Sequence, residues 1–264
     1  WAGRQLMVGF TVPLTIMGTV AAREFMKLEE QAIRFKRVYG DMFTTDKQVD
    51  EALAGVRQLA TEFTKFGVAV EDTINLAASV AQMGAMGADL TNQVTEATRL
   101  AVLGGIEQQE ALDTTISLTN AFGLATDQLS GKIAFLNAVE NQTILSIEDF
   151  NEAIPKAGSV VNQLGGDVED LAYFLTAMRE GGINASQSAN ALKSSLARLI
   201  NPTEVAQEKL RGFGIDILGI VNNNAGNLRG TIQVLAQELD KLDPLDKARA
   251  VEQLFGKFQF ARMS

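Results

Sequence analysis

Acid–base chemistry in this chain would have to run through carboxylates, because the sequence contains no histidine and no cysteine. That absence removes imidazole as a general base and thiolate as a nucleophile or metal ligand. Two adjacent acid pairs stand out, Glu148 with Asp149 and Glu169 with Asp170. Neighbouring residues on a helix point about 100° apart, so neither pair alone can flank a scissile bond. Acids in a first helical turn are also what the positive end of a helix favours. Asp240, Asp243 and Asp246 invite a calcium reading. The stretch lacks the glycine turn and terminal glutamate of a calcium loop, however, and a helix cap at Asp243 is the simpler role. Gly104-Gly105 and Gly165-Gly166 lack the lysine of a phosphate loop and fit helix ends. No catalytic, cofactor or metal site is expected. The basic cluster Arg34, Lys36 and Arg37 suits a solvated helix face, and a net charge of −9 argues against sequence-specific nucleic-acid binding.

The elements that carry these residues read as helices throughout. The 264 residues are 46% hydrophobic with only 4 prolines, too apolar for a disordered chain and rich in good helix formers. That length allows one large or two medium domains. Beginning at Trp1 and ending at Ser264, the sequence reads as a piece of a longer chain.

The first forty residues differ from the rest. No charge falls between Arg4 and Arg23, a stretch about as long as a short membrane span. Three readings compete: a strand of an intermolecular bundle, a buried core helix, or a membrane-inserting helix. Pro13 could kink such a helix, and Gly3, Gly9 and Gly18 allow close helix approach. A heptad seam runs through Met7, Leu14, Ala21, Phe25, Leu28, Ala32, Phe35 and Tyr39, with Thr11, Gly18 and Ala32 as its weak members. It favours association between copies. Charged residues from Arg23 to Arg37 occupy the other faces, as on a solvated helix. In the membrane alternative, Leu6, Phe10, Val12, Leu14, Ile16, Met17 and Val20 would make the contact.

From about Asp41 the pattern becomes short helices between glycine turns. Thr45 with Gln48 can open a helix that ends near Gly67. Further helices are predicted over about 71–82, 90–103, 108–122 and 127–140, with Gly84, Gly87, Gly104, Gly105 and Gly123 at their stops. Ser146 with Asp149 reads as a capping box, after which Pro155 shortens or bends the helix. Leu171, Phe174, Leu175 and Met178 form an apolar stripe, as do Leu192, Leu196, Leu199 and Ile200. Asn184 opens a helix. Asn201-Pro202-Thr203-Glu204 reads as a start, with Asn201 as cap and Pro202 first in the helix. Asp243-Pro244 repeats that device. Residues 222–226 form a polar loop, and only Gly214 to Leu218 tempts a strand reading. Gly67 to Gly84, Gly105 to Gly123 and Gly166 to Gly181 each frame one amphipathic helix, which suggests helical hairpins at irregular spacing. The fold class is therefore all-α: a long N-terminal apolar, heptad-bearing helix (1–40), then an irregular array of short helical hairpins (41–264).

The order of several stretches carries a resemblance. Gly165 to Ile183 reads GGDVEDLAYFLTAMREGGI, followed by Ser186, Ala189, LKSSLARL over 192–199 and Asn201-Pro202-Thr203. Then come LRGFGID over 210–216 and Leu254-Phe255-Gly256. Before them stand ATRLAVLG (97–104), the stretch Leu118 to Gly123, and SIEDFNEA (146–153). Over roughly residues 45–260 this resembles the core region of phage tail tape measure proteins of the TP901 type. Ala189-Asn190-Ala191 departs from the pattern, standing where many relatives carry a Gly-Thr pair. The resemblance implies a non-enzymatic virion protein that sets tail length, lies in the tail lumen or at the tail tip, and leaves ahead of the genome. It implies a homotrimer, contacts with tail tube, distal tail and tail-tip proteins, tail assembly chaperones during assembly, and contact with the host membrane on ejection. The alternative from the residues alone is a membrane-active helical protein, pore-forming or secreted. A helical scaffold in a cell is a third reading.

Overall fold

A computed structural model describes residues 29–40 and 46–255, and every described secondary-structure element is helical. Helix α1 covers residues 29–40. It is followed by α2 (Asp46–Phe63), α3 (Val70–Gln82), α4 (Gly87–Gly104), α5 (Gln108–Phe122), α6 (Leu129–Gln142) and α7 (Ile147–Gln163). Then come α8 (Val168–Glu180), α9 (Ala185–Ile200), α10 (Glu204–Gly212), α11 (Ile217–Asn223), α12 (Leu228–Asp240) and α13 (Pro244–Phe255). Short 3₁₀ turns at Thr64–Phe66 and Thr126–Gln128 extend α2 and precede α6. The chain divides into two compact units between Val102 and Leu103.

In the first unit α2 packs along α3. The buried positions of α2 are Val49, Leu53, Val56, Ala60 and Phe63, spaced alternately four and three residues apart. Such a 3.5-residue repeat lays one continuous apolar seam along the helix. Lys36 of α1 meets Asp50 of α2 at 2.6 Å. This pair, close to the segment joining the two helices, sets the end of α1 beside the start of α2.

The second unit is organised around α7, which packs on α9 and α5 and also meets α8 and α6. Its buried side chains Ile147, Phe150, Ile154 and Val161 recur at three, four and seven residues. Burial of each stabilises by about 1.5–3 kcal/mol, as an upper estimate. Gly158 lets α5 come close: a Cβ added there would lie 2.8 Å from that of Ala121. Pro155 does not shorten this helix as its residue type predicts, and α7 runs through it to Gln163. The proline faces solvent, so its ring intrudes on no neighbouring helix. Among the described helices α7 is thus a hub that meets α5, α6, α8 and α9.

Most helix starts are encoded within one turn. Ser146 accepts from the Asp149 N–H while Asp149 accepts from the Ser146 N–H, and Asp167 and Asp170 repeat this reciprocal pair. Asn184 caps α9 as expected, accepting from the Gln187 N–H. At α10 the cap is Thr203, accepting from the Ala206 N–H, and not Asn201. Asn201 instead closes α9, its N–H donating to the Ala197 carbonyl, so the helix begins two residues later than the Asn-Pro signal implies. The stretch 214–218 forms no strand. Asp216 accepts from the Gly219 N–H and opens α11 at Ile217. Thr45 lies outside the described residues. Two hydroxyls of α5 are satisfied close by: Thr115 donates to the Leu112 carbonyl and Thr119 to the Thr115 carbonyl.

Candidate functional site

Of the seam predicted for association, Ala32, Phe35 and Tyr39 fall among the described residues, and all three are buried. Phe35 and Tyr39 stack with ring centroids 4.9 Å apart. The Tyr39 hydroxyl accepts from the Gly87 N–H at 3.0 Å, which anchors the end of α1 to the start of α4. This part of the seam therefore packs inside the first unit. Met7, Leu14, Ala21, Phe25 and Leu28 lie outside the described residues, as do Leu6, Phe10, Val12, Ile16, Met17 and Val20 of the membrane alternative. The other face of α1 exposes Glu29, Glu30, Ile33, Arg34, Lys36 and Arg37, the solvated face expected of the basic cluster. Among the described residues, no helix is long and apolar enough to cross a membrane.

The acid pairs point apart into separate contacts. Glu148 is exposed. Asp149 completes its cap and lies 3.4 Å from Arg179 Nε of α8. Glu169 receives Lys132 of α6 at 2.7 and 2.8 Å through its two oxygens. Asp170, 6% exposed, pairs with Arg229 of α12. The hydrogen bond to Asp170 and its charge raise the Arg229 guanidinium above its ordinary pKa. Helix α8 thus contributes one partner to an ion pair with each of α6, α7 and α12. Charges matched in this way hold helices in register. Asp240 pairs with Lys247 at 2.6 Å and Asp246 with Arg249 at 3.0 Å. Asp243 accepts from the Leu245 and Asp246 N–H groups, the cap predicted for it. Among the described residues, no three acids gather as metal ligands would.

A polar clamp joins α5 to the hub. Asn151 donates to Glu110 at 2.7 Å and accepts from Thr114 at 2.7 Å. Lys156 donates to Ser186 at 2.6 Å, linking α7 to the start of α9. None of these pairs announces itself in the sequence, since the partners are thirty or more residues apart.

The glycine pair at 165–166 does more than end a helix. Gly165 has φ +77°, a left-handed conformation that costs a side-chain-bearing residue dearly. A Cβ added there would lie 2.2–2.3 Å from the backbone of Gly226, itself at φ +79°. At Gly166 an added Cβ would lie 2.7 Å from Leu228. Two loops meet here backbone to backbone, next to the Asp170–Arg229 pair. Beside them Tyr173 and Phe174 of α8 face Ile232 and Ala236 of α12 across a shallow groove.

Comparison with known proteins places this arrangement. The family described as phage-related minor tail protein matches residues 44–256. The tape measure protein of Pneumococcus phage Dp-1 is 25% identical over 265 aligned residues, covering 99% of this chain and 22% of that protein. The probable tape measure protein of Escherichia phage P2 is 23% identical over 157, covering 58% of this chain and 18% of its own length. The chain thus spans about a fifth of the length of these curated relatives. No solved structure matches it.

Proposed function

We propose a role for this segment from one premise: the chain belongs to the phage-related minor tail protein family. It is a structural component of a phage tail, a piece of a tape measure protein that lies along the tail lumen, sets tail length and leaves ahead of the genome. The observation that carries this reading is the likeness to a named tape measure protein along 99% of the chain. Tail tube, distal tail and tail-tip proteins are its partners in the virion, tail assembly chaperones bind it beforehand, and the host membrane meets it on ejection.

Copies of the chain associate as a homotrimer through the Met7, Leu14, Ala21, Phe25 and Leu28 part of the seam, since Ala32, Phe35 and Tyr39 are already engaged within the first unit. Light scattering of Met7→Asp/Leu14→Asp should give a monomer; an unchanged oligomer mass would sink this assignment.

Tail length tests the main reading. An in-frame deletion of residues 103–255 from the parent gene should shorten tails seen by electron microscopy. If the segment runs as continuous helix in the lumen, a rise of 1.5 Å per residue gives a loss of roughly 230 Å. If it stays folded in the lumen, a compact unit of this size spans only about 40 Å. Tails of wild-type length would overturn the reading.

A further inference from the structure

Helices α10 to α13 pack mainly on one another and join the rest of the second unit through α9. Their burial is sparse. Helices α10 and α11 bury one residue each, Leu210 and Ile217, α13 buries two, Ala250 and Leu254, and α12 buries four of its thirteen. By contrast α7 buries seven residues and α9 eight. Few buried apolar contacts mark the part of a fold that opens first. This layer enters through a non-helical link, with Asn201 at φ −135° and ψ 73° and Thr203 at φ −62° and ψ 152°. Away from α9 it is secured at the corner where Gly165 meets Gly226, where Leu228 packs against Gly166, and where Arg229 reaches Asp170. The guanidinium is largely in solvent while its carboxylate is buried, so this pair is the part of the fastening that salt reaches.

We propose that α10–α13 form a separately opening layer, hinged at Asn201–Thr203 and latched onto the α7–α8 corner by the Gly165–Gly226 contact and the Arg229–Asp170 pair. This rests on the packing of the second unit alone and stands or falls independently of the tail assignment. When the latch releases, the layer swings away about the link while α5, α7 and α9 keep their mutual packing.

Hydrogen exchange of the 264-residue chain, followed peptide by peptide by mass spectrometry, tests it. In the unmodified protein, the amides of α11 and α12 should exchange through an opening that leaves α5, α7 and α9 protected. Gly165→Ala, which combines a disfavoured φ with a backbone collision, should raise exchange in α11 and α12 by about tenfold or more and in α7 by less than about twofold. Arg229→Ala removes no buried side chain and covers the case in which the glycine variant fails to fold. It should raise exchange in α12 by about two- to fivefold, and added salt should accelerate α12 exchange in the unmodified protein but not in the variant. The proposal is overturned if α5, α7 and α9 lose protection together with α11 and α12. It is equally overturned if Arg229→Ala leaves α12 exchange and its salt response unchanged.

Discussion

Gly131 and Gly158 both lie inside helices, yet the same substitution should move stability in opposite directions at the two. Replacing a helix-interior glycine by alanine stabilises by about 0.5–1 kcal/mol through backbone entropy. At Gly131, on the exposed side of α6, an added Cβ meets nothing within 4 Å, so Gly131→Ala should show the whole gain. At Gly158 the added Cβ would stand 2.8 Å from Ala121 Cβ and 3.1 Å from Phe122 Cε2. The half-buried Phe122 ring can turn aside. Ala121 Cβ has no rotamer to change and moves only with the α5 backbone. Overpacking of this kind costs about 1–3 kcal/mol, which exceeds the helix gain and leaves Gly158→Ala less stable by about 0.5–2 kcal/mol. At roughly 2–4 °C per kcal/mol for a chain of this size, Tm should rise by up to about 4 °C for Gly131→Ala. It should fall by up to about 8 °C for Gly158→Ala. Thermal and urea unfolding followed by circular dichroism at the helix band would read both. Adding Ala121→Gly to Gly158→Ala relieves the contact, so the double variant should lose less than the two singles together, by about 1–2 kcal/mol. A rise in Tm for Gly158→Ala matching that of Gly131→Ala would refute the close α5–α7 approach.

Three further outcomes are expected. Thr203→Ala should destabilise by about 1 kcal/mol in urea unfolding through loss of the α10 cap, while Asn201→Ala should change stability by less than half of that. The Asp246 N–H, and after it the Leu245 N–H, hold the Asp243 carboxyl below its usual value. Its cap therefore contributes fully above the unfolded pKa of about 3.9 and is lost as pH falls through the lower folded value. Amide exchange across α13 should accelerate over that acidic range, and Asp243→Asn, which caps without titrating, should flatten the response. Phe35 is wholly buried, so Phe35→Ala should cost the first unit about 3–5 kcal/mol even in a monomeric preparation; normal thermal stability there would show that its packing partner is another copy.

Sequence legibility tracks the range over which each feature is encoded. Ser146, Asn184 and Asp243 act on backbone groups two or three residues ahead, so type and spacing suffice to place those caps. The helix over 108–122 is bounded correctly because Gly123 takes up the left-handed turn that ends it. Asn201 misleads because Pro at a first helical position is a strong signal, whereas here Pro202 lies buried in the non-helical link. Residues 214–218 mislead because alternating isoleucines resemble a strand when the cap at Asp216 is overlooked. The α1 seam is legible as an apolar repeat. A repeat does not name its partner, however, and α2 carries a matching one in the same unit. The Asp170–Arg229 pair joins positions 59 apart and leaves no periodic trace. Neither does the meeting of Gly165 with Gly226, nor the choice of α7 as hub. These depend on how helices pack once formed.

Thr115 and Thr119 of α5, donating to carbonyls on their own helix, have a consequence for recovery after mechanical stretching. A hydroxyl satisfied within its own turn finds its partner as soon as that turn forms, as do the reciprocal caps at Ser146 and Asp167. Helix formation takes about a microsecond, and chains dominated by local contacts fold in roughly microseconds to milliseconds. A chain built this way, stretched and released, would re-form its caps and turns first and its long-range pairs only as the helices pack again.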